Sequence, residues 1–385
     1  MMHLWRRAVG SAVPGASRAW LENRAVLVSW SDGRTTPFHF PWLRDHCPSR
    51  VDPDSGQKSV SSGDDSVVGA VASSVALDGG VLNVDWADGH RSAFPLPFLR
   101  RTAYDDVSRQ DRSDDRNRLT QWDSSHRIPE AQYSDVVNSD TSLARLLDDI
   151  HNFGIAFVRN VPTDLDASKA ISSRIGPVRE TFYGTLWDVV SVPKAINVAY
   201  TSSHLGLHQD LLYFEAPPGL QLLHCVKNSV PGGDAIFLDA YRAVAELRAE
   251  DPLAYMTLLE CPVTFHYRAQ GRHRRFVRPT LELDGQNEAM RVNYAPPFQG
   301  PLEVPQARVQ EFYEAFNKFE RVLDRKHLLF RTRYQPGDLV IFNNRRVLHG
   351  RLQFDAAKGE RHLRGSYIDL DEYRDKWRTM CRPHW

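Results

Sequence analysis

The amino-acid sequence predicts an α+β protein with a small N-terminal β domain over residues 21–103 and a larger unit over 128–385 built on a β-sandwich or barrel. Three observations predict it. Residues 26–45 and 81–101 repeat one another. A charged stretch, 104–127, stands between the two parts as a linker or solvated helix. Beyond it, many strands and few helices follow without β-α-β alternation, which favours a sandwich or barrel. A length of 385 residues is also long for one core.

The repeat pairs Trp30 with Trp86, Asp32-Gly33 with Asp88-Gly89 and Phe38 with Phe94; Pro41, Leu43 and Arg44 match Pro97, Leu99 and Arg100. Asp-Gly between alternating runs is a strong hairpin signal, so each copy reads as a hairpin followed by an aromatic-Leu-Arg segment. In the larger unit, 141–154 has helical spacing and ends at Gly154, a C-cap. "IAFVRNV" follows as a strand. "LQLLHCV" and "AIFLDA" read as buried strands joined by a tight turn at "PGGD". Residues 240–260 form a helical pair around Pro252, and 308–324 an amphipathic helix. "VTFHY", "MRVNYA" and "GDLVIFNN" are further strands.

Charged residues are 25 % of the chain, hydrophobic ones 42 %, and the formal net charge is zero. That composition is ordinary for a soluble globular protein and argues against a nucleic-acid or anionic-membrane surface. No run approaches the ~18 apolar residues of a membrane span. Cys47, Cys225, Cys261 and Cys381 are widely spaced, so a disulfide framework is not expected and a reducing compartment is. The first twenty residues contain Arg6, Arg7 and Arg18, no acid, and much Ala and Ser. They read either as a mitochondrial presequence or as a plain N-terminus, leaving a mitochondrial or cytoplasmic location.

Within "LGLHQDLLY" (205–213), His208 and Asp210 lie two apart, which on a strand points both to one face. A buried carboxylate needs a partner or a metal, so the pair is either a core ion pair or two ligands awaiting a third. His349, after the apolar run "GDLVIF", is the candidate third. Two His and one carboxylate on one face form the facial triad of non-haem iron oxygenases, with positions left open. Arg361, twelve residues on, can hold a dicarboxylate through its planar fork.

With these motifs in place, the chain resembles the γ-butyrobetaine dioxygenase and trimethyllysine dioxygenase family. The matching segments are "FPWLRDHC", "FGIAFVRNVP", "RETFYGTLWDV", "NVAYTSSHLGLHQD", "PPGLQLLHCVKNSVPGGD", "RRVLHGR" and "RHLRGSYIDLD", in family order from about residue 25 to 375. The resemblance implies a double-stranded β-helix, jelly-roll-like, as the catalytic domain. It implies Fe(II) held by His208, Asp210 and His349, 2-oxoglutarate anchored by Arg361, dioxygen as oxidant and ascorbate in support. It also implies a homodimer and a small betaine substrate, with Tyr183, Trp187, Tyr200 and Tyr367 as an aromatic cage for a trimethylammonium group and Asn197 and Asn293 as further substrate contacts. Core packing is the alternative role of the four aromatic residues.

Three departures qualify the family pattern. Of the structural zinc set of three cysteines and a histidine, only Cys47 and His90 remain, so zinc is not expected. Leu211 follows the H-x-D motif where an aromatic residue, Asn or Thr is usual. After Arg291 and Asn293, Ala295 and Pro296 replace amide side chains. Hydroxylation of γ-butyrobetaine leads; trimethyllysine or another betaine is the alternative substrate, and a jelly-roll binding module without turnover is the competing class.

Overall fold

The computed structural model describes residues 15–116, 119–190, 202–283 and 290–382. The chain divides into two compact units between Arg116 and Asn117, inside the charged stretch.

In the N-terminal unit each repeat is three-stranded. Strands β1 (Ala16–Glu22), β2 (Ala25–Trp30) and β3 (Thr35–His39) lead into helix α1 (Phe40–Asp45). Strands β4 (Ala72–Asp78), β5 (Val81–Trp86) and β6 (Arg91–Pro95) lead into α2 (Leu96–Thr102). The hairpin reading therefore missed the first strand of each copy, although Ala16-Ser17 and Ala72-Ser73 repeat as well. Residues 16–22, the last five of the acid-free stretch among them, pair with β2 as a strand of this unit. The copies hold each other reciprocally. Arg44 pairs with Asp88 at 2.7 Å and covers the Trp86 ring; Arg100 pairs with Asp32 at 2.5 Å and covers the Trp30 ring. Each tryptophan N–H donates to the hydroxyl six residues on, Thr36 or Ser92. The stretch read as a linker contains α3 (Asp106–Arg116), and Asp105 and Asp111 tie it to Thr36 and Arg34 of the same unit.

Two sheets form the core of the second unit. The six-stranded sheet runs β7 (Glu130–Gln132), β8 (Ile155–Arg159), β18 (Leu339–Asn343), β11 (Leu220–Asn228), β20 (Arg361–Ile368) and β9 (Trp187–Val190). The four-stranded sheet runs β10 (Leu205–His208), β19 (Val347–Arg351), β12 (Ala235–Asp239) and β17 (Phe330–Thr332). Two hairpins, β13 (Pro262–Ala269) with β14 (Arg272–Pro279) and β15 (Leu281–Leu283) with β16 (Met290–Val292), lie outside these sheets. Consecutive strands β11 and β12 belong to different sheets, as do β18 and β19: the jelly-roll pattern in which the chain crosses from one layer to the other.

Alternation along the strands sets the layers. Even residues of β11 and odd residues of β18 (Leu220, Leu222, Leu339, Ile341) pack outward, with α4 (Tyr133–Asn138), α5 (Asp140–Phe153), α6 (Ser168–Ile175) and a C-terminal helix, Leu370–Cys381. The opposite faces of these strands (Leu223, Cys225, Val340, Phe342) meet Ala235 and Phe237 of β12 between the sheets. Helix α5 stops at Gly154, whose φ of 72° is open to glycine. The helical pair α7 (Ala240–Glu250) and α8 (Pro252–Glu260) breaks at Asp251, whose carboxylate caps α8 by accepting from Ala254 N–H. Helix α9 (Val309–Leu323) buries Phe312, Ala315, Phe319, Val322 and Leu323 along one stripe. The remaining helix, Leu370–Cys381, is α10.

Candidate active site

The cross-strand register of β10 and β19 sets His208 directly opposite His349. Asp210 lies just past the end of β10, in the turn rather than in the strand, and its side chain still joins His208: Oδ1 is 3.4 Å from Nε2. Ligand atoms of His208, Asp210 and His349 lie within 4.8 Å of one another, the one such group among the described residues. His349 sits on its own strand in the second sheet, not at the end of the apolar strand before it. Gly350 beside it lies against the Leu205 and Gly206 backbone, where a Cβ would come within 2.7 Å of Leu205 O. Leu211 has a φ of 60°, a left-handed turn that costs about 1 kcal/mol without glycine. It is 2 % exposed, and its apolar side chain is placed in the core.

The protonation state suits a metal. His208 Nδ1–H donates to Gly206 O at 2.9 Å, which leaves Nε2 with a free lone pair toward Asp210. Burial pushes the Asp210 carboxyl up, but its polar neighbours His208, His349 and Tyr367, the last donating its hydroxyl to Oδ2, outweigh it and hold the carboxyl well below the usual carboxylate range. Burial and the neighbouring His208 push His349 down to about 3, so it is neutral at pH 7. One carboxylate and two imidazoles converging in a cavity are a donor set for Fe(II).

The same cavity reaches Arg361 at the start of β20. Arg361 is 9 % exposed and, among the described residues, no carboxylate pairs with it; burial lowers its pKa. A buried guanidinium without a counter-ion costs several kcal/mol unless an anion arrives, and a dicarboxylate co-substrate supplies one. Arg351, two residues after His349 on the same face, also lines the cavity, and its guanidinium and that of Arg361 lie 4.7 and 5.6 Å from the Phe354 ring centre.

Tyr183, Trp187 and Tyr367 form one wall. Trp187 stacks on Tyr367 with centroids 4.2 Å apart, and Tyr183 is 6.2 Å from Trp187. Gly365, opposite Trp187 in the β20–β9 pairing, makes room: a Cβ there would collide with the indole. Tyr200 and Asn197 fall outside the described residues. Asn293 is not in the cavity lining. Its amide donates to Pro279 O and Glu282, and its oxygen accepts from Arg345. Sequence reasoning missed Tyr213, Gln221, Phe298, Tyr334 and Arg351, all of which line the cavity. A lone glutamine inside the buried run "LQLLHC" was the signal for Gln221, since a buried amide must find a partner.

In the N-terminal unit Cys47 Sγ and His90 Nε2 are 3.3 Å apart, and the hydroxyls of Ser49 and Ser92 lie 3.2 and 3.0 Å from the sulfur. Zinc takes thiolate, imidazole and carboxylate ligands, and two hydroxyls in their place do not fit it. All four cysteines are free. No helix among the described residues is long and apolar enough to cross a membrane.

Comparison with known proteins agrees with this geometry. The model of the taurine catabolism dioxygenase TauD, TfdA family matches residues 115–367, and the gamma-butyrobetaine hydroxylase-like N-terminal model matches 18–100. A gamma-butyrobetaine dioxygenase of Pseudomonas sp. (strain AK-1) is 36 % identical, over 90 % of this chain and 91 % of that protein. The dioxygenase str8 of Strobilurus tenacellus is 35 % identical, over 95 % and 92 %. Among solved structures, AAD-2 in complex with Mn(II) and N-oxalylglycine shares the fold at a TM-score of 0.50 and 13 % identity, covering 66 % of this chain and 98 % of that one. A triad of the right donors, a buried arginine in its cavity, and a family model spanning most of the chain converge: the chain belongs to the TauD/TfdA dioxygenase family and is a 2-oxoglutarate-dependent iron dioxygenase.

Proposed function

We propose that this dioxygenase hydroxylates a trimethylammonium acid of the γ-butyrobetaine type. The observation that carries the reading is the aromatic wall of Tyr183, Trp187 and Tyr367 in the same cavity as the triad. A quaternary ammonium has no N–H to offer, and aromatic faces are its favoured neighbours. His208, Asp210 and His349 would hold Fe(II), which with 2-oxoglutarate supplies the oxidation of an unactivated C–H bond. Arg361 would bind the distal carboxylate of 2-oxoglutarate, and the apolar lining of Leu205, Leu223 and Phe237 would keep water out. Pro297 and Phe298, next to the Ala295 and Pro296 that stand in place of amide side chains, also line the cavity. They favour, as a second reading, a trimethylammonium substrate with a less polar tail.

A desolvated cation–π contact contributes about 2 kcal/mol, roughly thirtyfold in affinity. Trp187→Leu is therefore expected to weaken binding of γ-butyrobetaine far more than binding of its neutral carbon isostere. Equal loss for both would refute the cage and leave the dioxygenase assignment standing. A panel of trimethylammonium acids scored by succinate release and product mass identifies the substrate.

The assembly we propose is a homodimer. Exposed Leu253 and Met256 on α8 and Tyr313 on α9 are apolar side chains available to it, and sedimentation analysis tests it. The proposed site of action is mitochondrial, with any leader cleaved ahead of Ala16; N-terminal sequencing of the mature protein tests that.

A further inference from the structure

The carboxylate of Asp210 is gripped on one oxygen by two strands. Gln221 on β11 donates from Nε2 to Oδ2 at 2.8 Å, and Tyr367 on β20 donates its hydroxyl to the same oxygen at 2.7 Å. The two residues are direct cross-strand partners, so a single register delivers both to the barrel interior. Gln221 is 2 % exposed and Tyr367 1 %. Asn344 fixes the Asp210 backbone as well: its Oδ1 accepts from Asp210 N–H at 2.9 Å, and its Nδ2 donates to Asp210 O at 3.0 Å. The other carboxylate oxygen, Oδ1, is the one that faces His208.

We infer that Gln221 and Tyr367 are positioning residues that hold Asp210 as a one-oxygen metal ligand. An ionised carboxylate offers about two lone-pair sites on each oxygen. Two donors occupy those of Oδ2, and Oδ1 alone is left for the metal. The difference matters for a facial triad. A carboxylate binding through both oxygens would take a fourth coordination position and leave too few for a chelating keto acid and dioxygen together. Gln221 is also kept at a cost: its Oε1 has no protein hydrogen-bond partner among the described residues. A leucine would leave no polar atom unpaired there, as at Leu223 on the same face of β11. The inference rests on the iron and 2-oxoglutarate chemistry of the family and is independent of the substrate.

Gln221→Met keeps length and volume and removes the donor; Tyr367→Phe keeps the ring against Trp187 and removes the hydroxyl. The probe is Mn(II) titrated into metal-free full-length protein, with the free ion followed by EPR. Each single variant is expected to bind Mn(II) about tenfold more weakly, the usual loss when a ligand's hydrogen-bond partner is removed, with an unchanged melting temperature. In the double variant loaded with Co(II), the visible ligand-field bands are expected to shift as Oδ2 joins the metal. Wild-type Mn(II) affinity in either single variant overturns the inference, as does a loss that only follows a lower melting temperature. An unchanged Co(II) spectrum in the double variant overturns the one-oxygen assignment. If Gln221→Met does not fold, Tyr367→Phe decides alone. No amine is present in these assays, so failure here does not touch the betaine reading, and failure of the betaine reading does not touch this one.

Discussion

Arg361 shows how one side chain is tuned by what it lacks. Its guanidinium is buried beside Phe354, with Arg351 nearby, and no described carboxylate neutralises it. Arg361→Lys keeps the charge but gives up the planar two-pronged fork. Losing one charge-assisted hydrogen bond of about 1.5 kcal/mol should raise the KM for 2-oxoglutarate roughly tenfold. Steady-state kinetics with each substrate varied in turn checks it; the KM for the amine substrate should move little, and an unchanged 2-oxoglutarate KM would point to another anchor. The triad and Arg361 were legible in the sequence because metal and anion chemistry restricts residue types and spacing. The bonds of Asn293 to Pro279, Glu282 and Arg345 were not legible, because an amide near a family motif has the same letters whichever way it faces. Gln221 and Arg351 went unread because their direction depends on which face of a strand is inside.

Strand β20 carries much of the site through its odd positions: Arg361, Leu363, Gly365 and Tyr367 all point into the barrel. Gly365→Ala tests that layout. The added methyl would displace the Trp187 indole, so the KM for the amine substrate should rise while the 2-oxoglutarate KM stays near wild type; a parallel rise in both would mean that the strand itself had moved. Helices α5 and α10 offer a second test, through His151 stacked on Trp377 at 3.8 Å. Burial pushes His151 down to about 4, against the attraction of Asp148 and with Arg382, Arg346 and Arg374 adding to the lowering. The folded pKa lies below the unfolded value of ~6.5, so the contribution to stability is complete above that value and is lost as pH falls toward about 4. His151→Phe should flatten the fall in melting temperature between those two pH values by a few degrees; an unchanged slope would clear His151. The strands and helices with strong periodicity were readable, including α5 with its Gly154 stop and α9. The outer strands β1 and β4 were not, because residues 16–22 and 72–78 are largely exposed and show little apolar alternation.

At the scale of the whole molecule, the catalytic unit is organised around a metal site and the N-terminal unit around its sequence repeat. Its two copies exchange Arg44 with Asp88 and Arg100 with Asp32, and each arginine covers the tryptophan of the other copy. Val26, Val28, Phe38, Leu82, Val84 and Phe94 fill a common core. The repeat announced this pairing in the sequence, but not its reciprocity, which needs the two copies face to face. Cys47, Ser49, His90 and Ser92 close a hydrogen-bonded cluster in that unit. With hydroxyls where zinc would need thiolates or imidazoles, the cluster should not retain the ion. The test must separate it from the catalytic metal, so it is made in a His208→Ala background, where the iron triad is broken. After mild chelation, that protein should contain no stoichiometric zinc by elemental analysis. Its melting temperature should match that of the unchelated sample, because no metal binding energy is linked to folding of the N-terminal unit. One zinc retained per chain, or a melting temperature that falls on chelation and recovers with added zinc, would show that Cys47 and His90 recruit further ligands. The reciprocal arginines are tested directly: Arg44→Ala and Arg100→Ala should each lower the melting temperature, through lost packing over tryptophan as well as lost charge.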